Sequence, residues 1–129
     1  MGIVLVSHSG PVAESVAELA RGLAAGGATA PVAAAGGTGA GGLGTSTELI
    51  AEAVRAVDGG AGVAVLVDLG SAVLTVKAML AEDELPPGTR LVDAPFVEGA
   101  VAAVVTASAG GDLDAVEAAA SEAYDYRKA

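Results

Sequence analysis

Two short runs, Ile3-Val4-Leu5-Val6 and Val63-Ala64-Val65-Leu66-Val67, are apolar at every position. A strand with one wet face alternates between apolar and polar residues. A strand that does not alternate is covered on both faces, as in a parallel sheet flanked by helices. Each run ends in a turn that leads into helical spacing. The turns are Ser7-His8-Ser9-Gly10 before Pro11, and Asp68-Leu69 before Gly70-Ser71. Weaker strands are predicted at residues 30–35 and 90–94, and Pro31 suits an edge rather than a sheet centre.

Strand and helix therefore alternate four times, which predicts an α/β fold with a four-stranded parallel sheet and right-handed crossovers. With the weak second strand at an edge and the two apolar strands central, the order is 2-1-3-4, with helices on both faces. The topological switch point then lies between strands one and three, where open α/β sheets hold ligands. His8 and Asp68 end those two strands and should lie side by side.

The first helix should run from Pro11 to a stop at Gly26-Gly27, with Val12, Val16, Leu19, Ala20 and Leu23 facing the sheet. Thr45 and Glu48 have the spacing of a capping box that opens the second helix. The third follows Gly70-Ser71 and carries Val73, Leu74, Val76 and Leu80. The fourth spans residues 97–105, and its scarcity of charge predicts that it is buried against something. Asp112 caps the last helix, and the tail from Tyr126 should fray.

The chain has 129 residues, room for one core, so residues 1–129 are read as one domain. That core must be built from Ala, Val, Leu and Ile, because aromatic residues make up only 2% of the chain. The absence of cysteine removes disulfides, thiolate metal sites and cysteine nucleophiles. A formal net charge of −10 argues against nucleic acid and against anionic membrane surfaces. No apolar run approaches the roughly 20 residues of a membrane span.

His8 is the only histidine. A carboxylate accepting from one ring nitrogen would fix its tautomer and leave the other nitrogen with an exposed lone pair. That makes His8 a candidate nucleophile for a phosphoryl group, with Asp68 orienting it. The segment Gly36 to Gly44 contains a G-x-G-x-x-G match in the wrong turn for a dinucleotide fingerprint, and it lacks a P-loop lysine. It is either a composition-driven loop or a wall of amides facing an anion near His8. Asp68 and Asp93 both end strands, but two carboxylates alone make a poor magnesium site, so no metal is assigned.

Four segments in register resemble a known family: Val6-Ser7-His8-Ser9, Gly44-Thr45-Ser46, Asp68-Leu69-Gly70-Ser71-Ala72 and Ala94-Pro95-Phe96-Val97-Glu98-Gly99-Ala100. They resemble the mannose-type enzyme IIA domain, and within it the DhaM phosphocarrier subunits of phosphoenolpyruvate-dependent dihydroxyacetone kinases. The resemblance covers nearly the whole chain. It implies a cytoplasmic, homodimeric phosphotransferase subunit without a cofactor. The phosphocarrier protein HPr would phosphorylate His8, at its Nε2. His8 would pass the group to ADP held on the DhaL kinase subunit, and the ATP formed would phosphorylate dihydroxyacetone on DhaK. Further phosphocarrier domains follow the first in some members, and without them here the donor is expected to be a separate protein. Asp68 matches the aspartate that orients the histidine. Ser9, Gly44, Thr45, Gly70 and Ser71 are the candidate phosphate-binding residues.

Other classes fit less well. A histidine phosphatase would want an arginine before the histidine and a second histidine. A chelatase would want further metal ligands. A regulatory phosphorelay domain and a noncatalytic ligand-binding module stay open from the residues alone.

Overall fold

The structure is a computed structural model and describes residues 1–24 and 26–129. Four parallel strands form one sheet in the order β2-β1-β3-β4, as predicted. They are β1 (Gly2–Ser7), β2 (Val32–Gly36), β3 (Val63–Val67) and β4 (Thr89–Leu91). Five α-helices connect and cover them: α1 (Gly10–Leu23), α2 (Thr47–Val57), α3 (Gly70–Ala81), α4 (Phe96–Ser108) and α5 (Leu113–Glu122).

The two apolar runs explain the layering. Along β1 and β3, Ile3, Leu5, Ala64 and Leu66 point to one face, where they pack with α1, α4 and α5. Val4, Val6, Val63, Val65 and Val67 point to the other, against α2 and α3. Every residue of both strands is buried. Full burial of a Val, Leu or Ile side chain is worth about 1.5–3 kcal/mol, so these central strands anchor the fold.

α1 is rotated relative to the sequence expectation. Its buried residues are Ala13, Val16, Ala17 and Ala20, whereas Val12, Leu19 and Leu23 are largely exposed. Alanine lets the helix sit close to both the sheet and α4, and the larger side chains are left outside. The helix also closes at Leu23, with Ala24 as its cap, ahead of the glycines expected to stop it.

Other boundaries differ, among them β2, which runs Val32–Gly36 in place of the expected 30–35. α2 is capped by Ser46, whose hydroxyl accepts from the Leu49 N–H, and not by Thr45. β4 is only three residues long, although the Val92 N–H still bonds to the Val65 carbonyl. α4 extends to Ser108 and buries Gly99, Ala100, Ala103 and Val104 within its own chain, against α1, α5 and the sheet. Asp112 caps α5 through the Ala115 N–H, as expected. Beyond α5, a 3-10 turn (Ala123–Asp125) leads to an irregular tail in which Lys128 pairs with Glu98 at 2.7 Å.

One glycine shapes the region around His8. A Cβ on Gly36, at the end of β2, would lie 2.4 Å from the Ser9 carbonyl oxygen. Only glycine lets the end of β2 come this close to the turn after β1.

Candidate phosphoryl-transfer site

The register of β1 on β3 pairs Val6 with Val67, so the turns that follow carry His8 and Asp68 to the same end of the sheet. His8 Nδ1 lies 2.9 Å from Asp68 Oδ1. The carboxylate also accepts from the Ser7 hydroxyl at 2.8 Å, the His8 N–H at 3.1 Å and the Leu69 N–H at 2.7 Å. Burial pushes the Asp68 carboxyl up. The hydrogen bonds from the His8 ring, Ser7 and the two backbone amides outweigh it and hold the group below its ordinary value of 3.8. An ionised Asp68 can only accept, so His8 carries its proton on Nδ1 and presents the Nε2 lone pair. The His8 side chain is 23% exposed.

Ser71, in the first turn of α3, places its hydroxyl on His8 Nε2. With the lone pair on Nε2, the hydroxyl is the donor. α3 has no side-chain cap, and among the described residues nothing accepts from the Gly70 and Ser71 N–H groups. Open amides at a helix N-terminus favour an anion.

The remaining candidates have other tasks in this geometry. Ser9 caps α1 by accepting from the Val12 N–H. The Gly44 N–H is given to the His8 carbonyl at 2.9 Å, so it fixes His8 from behind. Thr45 Oγ1 lies 3.3 Å from Thr75 Oγ1 on α3. The glycine segment closes on itself in part, and among the described residues the N–H groups of Gly39, Ala40 and Leu43 meet no acceptor. The N–H groups of Gly37, Thr38, Gly41, Gly42 and Gly44 are all bonded within the protein.

Asp93 is engaged by the C-terminal segment and not by the histidine. Its carboxylate accepts from the Tyr124 hydroxyl at 2.7 Å, and its carbonyl from Ser121, which ties the end of β4 to the C-terminal segment. Asp68, Asp93, Lys77 and Tyr124 line a cavity of about 360 Å³ between α3 and the end of β4, but His8 is not part of its lining. Among the described residues no three His, Cys, Asp or Glu side chains are grouped to hold a metal ion. Arg90 is bound to Asp114 and Glu117 on α5, and among the described residues no Lys or Arg hydrogen-bonds to His8, Asp68 or Ser71.

Two residues were missed by the sequence reading. Ser7 is the only buried polar side chain among the described residues. A hydroxyl closing an all-apolar strand beside the histidine was a signal for it. Thr75 is the other, and nothing in a helix of this composition marks it out.

Comparison with known proteins decides the family. Residues 2–117 match the family model EIIA-man, the PTS system fructose IIA component. The chain belongs to this family. Among the relatives of this IIA domain is the phosphoryl donor subunit DhaM of PEP-dependent dihydroxyacetone kinase 2 from Listeria innocua. It is 34% identical over 118 residues, which cover 90% of this chain and 93% of that protein. The DhaM subunit of Escherichia coli K12 is 36% identical over 119 residues, which cover 90% of this chain and 25% of that protein. That of Pantoea ananatis is 39% identical over 121 residues, again 90% of this chain and 25% of the relative. The chain thus matches 93% of the Listeria protein and about a quarter of the longer ones. A crystal structure of the unknown function protein EF1359 superposes with a TM-score of 0.76 at 34% identity, covering 94% of this chain and 92% of that one. The resemblance seen in the four sequence segments is therefore a family membership. No helix among the described residues is long and apolar enough to cross a membrane.

Proposed function

We propose that residues 1–129 act as one phosphohistidine carrier domain, the phosphoryl donor subunit of a phosphoenolpyruvate-dependent dihydroxyacetone kinase. HPr donates the phosphoryl group to His8 Nε2. His8 passes it to ADP held on DhaL, and the ATP formed there serves the dihydroxyacetone bound to DhaK. The observation that carries this reading is the Asp68–His8–Ser71 line beside the open amides of α3, in a chain whose full-length relative is a DhaM subunit.

In the forward step the Nε2 lone pair attacks phosphorus and the donor's P–N bond breaks. Ser71 turns its hydroxyl from Nε2 to a phosphoryl oxygen. The Gly70 and Ser71 amides take the remaining oxygens, while Gly44, Thr45 and Ser9 fix the surrounding wall. The ring, still protonated on Nδ1, becomes cationic, and the Asp68 carboxylate balances that charge. Phosphoryl transfer needs positioning and charge stabilisation more than covalent machinery. With no Lys or Arg hydrogen-bonded to His8, Asp68 or Ser71 among the described residues, the site holds phosphate lightly, and a partner can bring positive charge in the encounter, as an arginine finger does in trans. The deciding experiment is labelling of His8 by phosphorylated HPr.

Nucleotide belongs to the partner in this scheme. The isolated protein should give no calorimetric signal with ATP or ADP, because the chain lacks a P-loop lysine and a basic phosphate clamp. Micromolar binding would replace the carrier reading with a kinase or ATPase.

The homodimer is part of the same proposal, with a cytoplasmic location. Its support in this chain is the stripe of Val12, Leu19 and Leu23 that α1 leaves exposed. α4, the helix expected to need a partner, buries Gly99, Ala100, Ala103 and Val104 within its own chain and leaves Val97 and Val105 exposed. Sedimentation should show a symmetric dimer at micromolar concentration, and a monomer there would remove the dimer from the scheme.

A further inference from the structure

We infer that Thr75 is a positioning residue for phosphoryl transfer, the strut that sets the spacing of the two arms around His8. The inference rests on the carrier reading above.

One arm is the corner Gly44-Thr45-Ser46, which holds His8 through the Gly44 N–H and opens α2 at its Ser46 cap. The other is the start of α3, with Ser71 on the reactive nitrogen. Thr75 stands one turn further along α3, half-buried. Its hydroxyl donates to the Ser71 carbonyl at 3.0 Å. A hydroxyl has one proton, so the 3.3 Å contact with Thr45 is made by the Thr45 proton, donated to Thr75 Oγ1.

This proton count changes the role of Thr45. While it holds Thr75, it has no proton to offer a phosphoryl oxygen. Thr45 and Thr75 form a two-hydroxyl bridge that runs from the corner holding His8 to the backbone of Ser71. Among the described residues it is the only side-chain hydrogen bond between residues 44–46 and α3. His8 also links the two arms, through the Gly44 N–H and the Ser71 hydroxyl, and α2 and α3 pack on one face of the sheet, but the two-hydroxyl bridge is the direct polar tie between the corner and α3. Loss of the bridge loosens the spacing of the two arms at the end nearest the reactive nitrogen. Misplacement of a reacting pair by a fraction of an ångström lowers the chemical step without weakening partner binding.

The test compares Thr75→Val, which keeps the shape and removes the hydroxyl, with Thr75→Ser, which keeps the hydroxyl. Phosphoryl transfer from phosphorylated HPr is followed as kcat and KM, and amide hydrogen exchange is followed at Gly44. Thr75→Val should lower kcat by about five- to ten-fold with KM unchanged. It should also speed Gly44 exchange, and Thr75→Ser should restore both. Wild-type kcat in Thr75→Val overturns the strut, as does a defect confined to KM or one shared equally by Thr75→Ser. If the unaltered protein takes no label from HPr, the carrier reading fails, and the exchange measurement decides the bridge alone. Faster Gly44 exchange in Thr75→Val, restored by serine, then upholds it, and unchanged exchange overturns it.

Discussion

Phosphorylated HPr should place one phosphoryl group on this protein, labile to acid and stable to base, and His8→Ala should abolish it. The expectation starts from the nucleophiles present. There is no cysteine, and the serines need a base to react, whereas a neutral imidazole is already nucleophilic at physiological pH. His8 is the only imidazole, and its Nε2 carries the lone pair because Nδ1–H is committed to Asp68. The two serines beside it are poor rivals. Ser7 is 1% exposed and gives its proton to Asp68. Ser9 caps α1, so Ser9→Ala should cost about 1 kcal/mol of stability and only weaken labelling. Phosphoserine survives acid and phosphohistidine does not, so the chemistry of the label separates the candidates. His8→Ala leaves Asp68 with three of its four donors, and the domain should remain folded. Acid-stable label, or label retained in His8→Ala, would falsify the carrier reading.

Much of this site was legible before the fold was known, because its main pair is set by strand ends. Two all-apolar strands must be central, and the residues that end adjacent central strands must meet. His8 and Asp68 follow from that logic alone. What escaped were features that hydrophobic patterning does not encode. In an alanine-rich helix such as α1, weight given to the larger side chains adds Val12, Leu19 and Leu23 to Val16 and Ala20 on the inner face, while close packing selects Ala13 and Ala17 in their place. Thr45 and Glu48 have capping-box spacing, but Ser46 is itself a good cap although Leu49 cannot complete a box with it, and Thr45 is engaged with Thr75 instead. The glycine segment could be read as an anion cradle because composition says nothing about where amide protons go. Five of its amides, those of Gly37, Thr38, Gly41, Gly42 and Gly44, turn back on Thr38, Gly42 and the β1 turn.

Asp68→Asn should slow transfer to His8 by up to about 10⁴-fold at saturating donor, the loss seen when a carboxylate that orients a catalytic imidazole is replaced by an amide. Two effects add. An amide NH₂ turned toward Nδ1 donates to it and moves the ring proton to Nε2, where it blocks the nucleophile. An amide also carries no charge to balance the cationic ring formed as phosphorus binds. The substitution has a structural cost as well. Oδ1 accepts from the His8 ring and Leu69, and Oδ2 from Ser7 and the His8 N–H. Whichever way the amide is turned, one backbone N–H loses its acceptor, at about 1–3 kcal/mol. The kinetic comparison therefore belongs well below the melting temperature of the variant. Acid titration supplies a second measure that catalysis does not touch. The Asp68 carboxyl is held below 3.8 in the folded protein, so it binds protons more weakly there than in the unfolded chain. Its contribution is present above the unfolded value and is lost as pH falls through the folded one. In Asp68→Asn that part of the acid slope should disappear, leaving a shallower loss of stability below about pH 4. A variant that transfers at the wild-type rate, with an unchanged acid slope, would mean that Asp68 neither orients His8 nor holds its charge.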